Sequence, residues 1–322
     1  MSRFASLCNE MATQILNRVL PILILILLGH WIRRRNFLAE GTVKDLRKIA
    51  VNLALPAVLF TSFLQVELKS AYLVVFGVVF VLCLGLFWLG SFLKRQLHIQ
   101  HTYFPFLITG FEYGMLGVSL FGSAYGLENI GYIAIVDLGH EIFIWFVFLA
   151  LLLMKRDDLQ DPRQLVQAFF RSPVIVAILA GIGLNAIGVQ ESLPRLPVTG
   201  ALMSTLQFLG HLTIPLILII VGYGIKLDRR GVKEALGVVL LRLAILIPLA
   251  LVLNVFLIRN LLHLERPFEA ALFTLFILPP PFIVPLYARP ETVEEKRYLN
   301  NVLTLYTVVS IAIYTAYLIL NP

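Results

Sequence analysis

Charged side chains inside otherwise apolar segments are where this sequence could do chemistry. Glu112 sits in FLITGFEYGMLGVSLFGSAYG (106–126). Asp137, His140 and Glu141 follow at i, i+3 and i+4, a spacing that puts all three on one face of a helix. Arg242 interrupts the apolar run VVLLRLAILIPL (238–249). A charge in a bilayer core costs at least about 2.5–3.5 kcal/mol on an insertion scale, so such groups pair, bind ions or carry protons. The acids therefore point to cation, proton or substrate handling. The plainer reading is a buried hydrogen-bonded network that braces helix 5. Catalysis has little support. His140-Glu141 starts a zinc-protease pattern, but Ile144 stands where the second histidine belongs. There is no P-loop, dinucleotide fingerprint or nucleophile elbow, so no nucleotide cofactor and no ATP drive are expected.

The elements that must position these residues are membrane helices. The 322 residues are 59% hydrophobic and only 14% charged, too apolar for a water-soluble core-and-surface arrangement. Continuous apolar runs recur at roughly 14–32, 46–65, 71–93, 103–126, 129–154, 173–189, 201–224, 235–258, 268–288 and 298–320, each near the length that crosses ~30 Å of hydrocarbon. Continuous rather than alternating runs favour helices over a barrel. The net charge of +7 is not a nucleic-acid signal, because the basic residues sit in short loops. Of the 26 Lys and Arg, 19 follow the odd-numbered spans, five lie on the opposite face, and Arg18 and Arg242 fall inside spans. That bias puts the odd loops in the cytoplasm and both termini outside. Cys8 and Cys83 make neither a disulfide framework nor a metal spacing.

NLALPAVLF (52–60) of span 2 aligns with HLTIPLILI (211–219) of span 7, five spans later. An odd number of spans per copy turns the second copy upside down. The chain thus divides into a first repeat over 1–160 and an inverted second repeat over 161–322. Inverted repeats with paired helix breaks are the architecture of secondary transporters, with the site at the repeat interface. Spans 4 and 9 occupy matching places. Span 4 carries Gly110, Gly114, Gly117 and Gly122. Span 9 carries Pro279, Pro280, Pro281 and Pro285, and consecutive prolines cannot sit in a regular helix interior. The expectation is two broken helices crossing near the midplane, with Glu112, Tyr113, Gly114, Met115, Pro279, Pro280, Pro281 and Phe282 lining a substrate site. Glu112, Asp137, His140 and Glu141 are the candidates for ion coupling. Arg18 reads as a snorkelling residue, Arg242 as a partner for an acid or a substrate carboxylate, and His211 as packing. Thr304, Thr307, Ser310 and Tyr314 form a polar stripe in span 10 that reads as helix–helix glue.

Several segments together resemble the auxin efflux carrier family of permeases. They are RRRNFLAEGTVKDLRKIAVNLALPAVLFTSF (33–63), TIPLILIIVGYGIKL (213–227) and ILPPPFIVPLYA (277–288). The resemblance implies an all-α polytopic membrane protein of ten helices in two inverted five-helix repeats, with helices 4 and 9 interrupted and crossing near the substrate. It implies a small organic anion as cargo, moved across the cell membrane by alternating access and coupled to H+ or Na+ or to neither. Membrane lipid and the anion are the expected partners, a homodimer is compatible with this plan, and nucleic acid is not expected. One departure matters: many members carry an Asn with a following Gly-and-Pro motif in helix 4, where GFEYGMLGVSL (110–120) has Glu112-Tyr113 and Ser119. An anion site built on that Asn does not transfer. A sodium-coupled carrier of the bile-acid-symporter type, or a membrane ligand sensor on the same fold, is the competing reading.

The charge asymmetry generates a direct test. A reporter fused to the C-terminus should be active only when it reads an extracytoplasmic location; a cytoplasmic signal would remove the inverted-repeat argument with it.

Overall fold

A computed structural model of the protein describes residues 20–66, 69–156, 167, 171–288, 290 and 292–321. Arg18, the first residues of the first span and most of the loop 155–172 lie outside the described residues. All regular secondary structure among the described residues is helical, with no strand among them. The helices are α1 (20–34), α2 (Glu40–Gln65), α3 (Ala71–Gln96), α4 (Phe104–Ile108), α5 (Val118–Tyr125), α6 (Leu127–Leu152), α7 (Pro173–Ile187), α8 (Pro197–Gly224), α9 (Val232–Leu261), α10 (Arg266–Ile277), α11 (Ile283–Tyr287) and α12 (Val293–Leu320). Seven helical stretches are long and apolar enough to cross a membrane; α4 and α5 count among them as one interrupted unit. Large apolar side chains face outward, among them Leu73, Trp88, Phe208 and Leu320, which suits a lipid environment and would be costly in water.

Local chemistry explains where helices start and deform. α2 begins at Glu40, before the apolar run, because its first turns are amphipathic and their charged face stays outside the packed interior. Pro56 has no N–H to give the Asn52 carbonyl, and the helix widens over Ala50–Ala54, where the Leu55 N–H bonds back to Ala50. Pro215 also marks an irregularity in α8, of the opposite sense: the helix is interrupted at Leu212, whose N–H turns back tightly to Leu209 at 3.1 Å. The two prolines that aligned in the sequence thus both lie just downstream of a helix irregularity, a widening in α2 and a tightening in α8.

Packing sorts the helices into two groups. α1, α2, α7 and α8 form one. α7 lies along the second half of α2, where Asn185 donates to the Phe63 and Val66 carbonyls at 2.9 and 2.6 Å. α1 and α8 approach backbone to backbone, with Gly29 against the Ile219 carbonyl and Gly222 against the Ile26 carbonyl. The other group holds α3 to α6 and α9 to α12, with α3 on α6, α9 on α12, and α10 on both α6 and α9. The groups meet where α2 touches α6 and α8 touches α5. Almost the whole α4–α5 unit is buried between them.

Polar contacts gather the loops at two ends. At one, Arg33 donates to the Tyr223 carbonyl at 3.0 Å, His101 faces Glu234 at 3.3 Å and Glu295 at 3.7 Å, and Arg297 pairs with Asp228 at 3.3 Å. At the other, Glu265 accepts from Tyr132 at 2.9 Å and lies 3.7 Å from Lys69. The first end is the one that carries the odd-numbered, Lys- and Arg-rich loops.

The α1–α8 approach has no room for a side chain, because the neighbour is backbone and cannot swing away. Gly222→Val should lower the thermal midpoint of the purified protein, an overpacking loss of roughly 1–3 kcal/mol or more. Gly237→Ala, with open space around it, should be neutral or stabilising by up to about 1 kcal/mol.

Candidate functional site at two interrupted helices

The interruptions lie between α4 and α5 and between α10 and α11. Thr109 leaves α4 in an extended conformation, Gly110 takes φ +72°, and Glu112 (φ −84°, ψ 69°) starts the wide turn Tyr113–Gly117 that leads into α5. Glycine at 110 is required twice, by that positive φ and by Pro281, whose ring Cγ would sit 2.7 Å from a Cβ there. Leu278 ends α10 in an extended conformation, and the proline triplet carries the chain to Phe282, where α11 begins. The two breaks touch: the Glu112 N–H donates to the Pro279 carbonyl at 2.8 Å.

Each break leaves unpaired carbonyls where a helix stops and unpaired N–H groups where the next one starts. Two charged side chains take these up. Arg242, fully buried on α9, donates from Nη1 to the Leu107 carbonyl at 2.9 Å and from Nη2 to the carbonyls of Gly110 and, at 3.4 Å, Leu278. Its guanidinium lies between the rings of Phe111 and Tyr306, at 5.3 and 5.2 Å. Arg242 therefore faces backbone carbonyls rather than the acid or substrate carboxylate that its position suggested. Glu112 does the reverse at the helix starts. One carboxylate oxygen accepts from the Met115 N–H at 3.3 Å and the other from the Phe282 N–H. So an internal cation holds the ends of α4 and α10, and an internal anion holds the starts of the turn into α5 and of α11, as the local dipoles favour.

Asp137, His140 and Glu141 share one face of α6, and their ligand atoms lie within 4.8 Å of one another. His140 Nε2 accepts from the Phe111 N–H at 2.8 Å, so that nitrogen is unprotonated and Nδ1 carries the proton. Nδ1–H then donates to Asp137 Oδ1 at 2.7 Å. Trp145 donates to Glu141 Oε2 at 2.9 Å. Among the described residues Asp137 Oδ2 has no donor, and the Glu141 carboxyl lies on the same helix face within 4.8 Å of the Asp137 carboxyl. Two carboxyls bond to each other only when one holds a proton. Both ring nitrogens of His140 are engaged, Nε2 as acceptor and Nδ1 as donor, so this set is a poor holder for a transition metal, which needs a free imidazole nitrogen. Glu112 makes no direct hydrogen bond to the cluster among the described residues, and its chain neighbour Phe111 donates its backbone N–H to His140.

A cavity of about 390 Å³ opens among these elements. Met115 and Phe282 line it, one from each break, while Glu112, Tyr113, Gly114, Pro279, Pro280 and Pro281 do not. Among the described residues Arg33, Lys44, Arg47 and Lys226 also line it, against a single acid, Glu40. Arg47 Nε is buried with no hydrogen-bond partner among the described residues. Sequence reasoning missed these four cations as a site, having assigned them to orientation; Lys44 and Arg47, one turn apart on the amphipathic start of α2, were the available signal. Thr304 and Thr307 line the cavity too, whereas Ser310 donates to the Ile277 carbonyl at 2.5 Å and Thr307 bonds back to Leu303 at 2.7 Å. His211 is exposed, with Nδ1 2.6 Å from the Gln207 carbonyl, and takes no part.

The sequence profile of a family described as membrane transport protein matches residues 14–318. The chain is 28% identical over 234 residues to an uncharacterized transporter of Methanothermobacter thermautotrophicus, a match that covers 70% of this chain and 74% of that one. It is 29% identical over 123 residues to the uncharacterized transporter YfdV of Escherichia coli K12, covering 36% of this chain and 39% of that protein. The same identity and coverage recur with YfdV of Shigella flexneri.

The capping role of Glu112 is measurable apart from any transport. Glu112→Gln leaves one acceptor for two N–H donors, which should cost roughly 1–3 kcal/mol for the orphaned group, and Glu112→Ala should cost more. Thermal unfolding of the purified variants checks this order; a Gln variant as stable as wild type would remove the double cap.

Proposed function

The chain belongs to the membrane transport protein family, the auxin efflux carriers, and from that membership we propose that it is a secondary transporter that moves a small organic anion across the cell membrane by alternating access. The observation that carries the anion reading is the cavity. Among the described residues four cations against one acid line it, and it reaches Met115 and Phe282 at the two breaks. A carboxylate entering from the basic end replaces lost hydration with guanidinium and ammonium donors, and Arg47 has an uncommitted Nε to offer. Three supports favour the arrangement of ten helices in two inverted repeats, over 1–160 and 161–322. Pro56 and Pro215 each follow an irregularity in α2 and α8, the breaks fall at equivalent places, and α3 packs on α6 as α9 packs on α12. In this reading the Lys- and Arg-rich end is cytoplasmic and both termini are outside. The group of α1, α2, α7 and α8 and the group holding the breaks then rock against each other.

We assign proton coupling to the Asp137–Glu141 pair. Asp137 Oδ2 has no donor among the described residues, and the two carboxyls lie within 4.8 Å of each other, so a proton on one can be shared with the other. A proton gained there changes what His140 must balance, and His140 holds the Phe111 N–H beside the first break. Glu112 has both carboxylate oxygens engaged and acts as a brace in this scheme.

Proteoliposomes offered a panel of mono- and dicarboxylates test both assignments. Arg47→Ala should raise KM for the transported anion on the order of tenfold, with kcat less affected, since about 1.4 kcal/mol of lost binding is a factor of ten. Asp137→Asn should keep binding but flatten the pH dependence of uptake. Unchanged KM in the first variant removes the anion site; an unchanged pH profile in the second removes the coupling assignment.

A further inference from the structure

The Arg242 guanidinium is buried, and among the described residues no carboxylate pairs with it. An unpaired charge in such a place is strongly destabilising unless polar groups replace its hydration. Here the replacement is backbone. Leu107, Gly110 and Leu278 come from the ends of two helices on different parts of the chain, and their carbonyls converge on one planar fork. Converging carbonyls at helix breaks are the donor set that proteins use to hold monovalent cations. Four further oxygens at the breaks are already engaged: Pro279 accepts from Glu112, Ile277 from Ser310, Glu112 from Gly117 and Pro281 from Val284.

We propose that the carbonyls of Leu107, Gly110 and Leu278 form a monovalent-cation site and that Arg242 is its permanent, covalently attached occupant. The breaks then hold no exchangeable ion. A tethered cation keeps the two helix ends together at every stage of the cycle, whereas a diffusing sodium ion would have to leave and rebind. The assignment is independent of the transported anion and of the proton pair on α6. Arg242 is a positioning residue in this scheme and touches no cargo.

The test uses the full-length protein in detergent or nanodiscs and reads thermal midpoints, so no substrate is needed. Arg242→Ala empties the site and should lower the midpoint by roughly 5 °C or more, since several carbonyls lose their donor together. Low-millimolar guanidinium chloride should restore part of that loss in Arg242→Ala. It should do nothing for wild type or for Arg242→Met, whose side chain fills the space without a charge. Urea at the same concentration is the control for solvent effects. Should Arg242→Ala fail to fold, the remaining pair decides: Arg242→Lys keeps the charge and should be more stable than Arg242→Met. A folded Arg242→Ala that ignores guanidinium, or an Arg242→Met variant at least as stable as Arg242→Lys, overturns the proposal.

Discussion

Two helices stop and restart inside an apolar interior, where no solvent is at hand to take the hydrogen bonds they give up. Unpaired N–H and C=O groups in such a place are expensive, so a broken helix survives only where something else satisfies them. In this protein a pair of opposite charges does so. Arg242 collects the carbonyls where α4 and α10 end, and Glu112 collects the N–H groups of Met115 and Phe282. The direct bond from Glu112 to Pro279 joins the breaks to each other. The other features of the site follow from this arrangement. Phe111 is held between Arg242 and His140, and its N–H fixes the tautomer through which His140 meets Asp137.

Each packing group contains a backbone-to-backbone contact made possible by glycine: α1 against α8 at Gly29 and Gly222, and α3 against α6 at Gly139, which lies on the Phe76 carbonyl. The helices around the breaks also interlock through side chains: Phe111 stacks on Phe276, and Ser310 reaches the Ile277 carbonyl. The cavity lies between the groups, with Lys44 and Arg47 on α2, Lys226 just after α8, and Met115 and Phe282 from the breaks. In the proposed transporter this boundary is where the anion sits, so relative motion of the groups changes its access without undoing the charge pair that holds the breaks.

Much of this was legible in the residues. Apolar run length and low charge require membrane helices, because the physics of a ~30 Å hydrocarbon layer acts on each segment separately. Pro279-Pro280-Pro281 forbids a regular helix for steric reasons that need no partner. The i, i+3, i+4 spacing of Asp137, His140 and Glu141 puts them on one face by helical geometry alone. Gly110 was visible as one of four glycines, but its positive φ and its contact with Pro281 were not.

What the sequence could not settle was which groups meet across long separations. Arg242 could have faced an acid, a substrate or a carbonyl, and all three are chemically reasonable for a guanidinium. The fold chose carbonyls, because it brings residues 107, 110 and 278 around position 242. Glu112 read as an ion-coupling acid, and its engagement by two N–H groups depends on the crossing of segments that lie 170 residues apart. Arg33, Lys44, Arg47 and Lys226 followed the rule for cytoplasmic loops, which says only on which side of the membrane a cation lies. That they line one cavity is a property of three-dimensional convergence. Local sequence fixes the length, period and breaks of each helix, because those forces act between neighbours along the chain. Only tertiary packing decides which buried charge answers which exposed dipole.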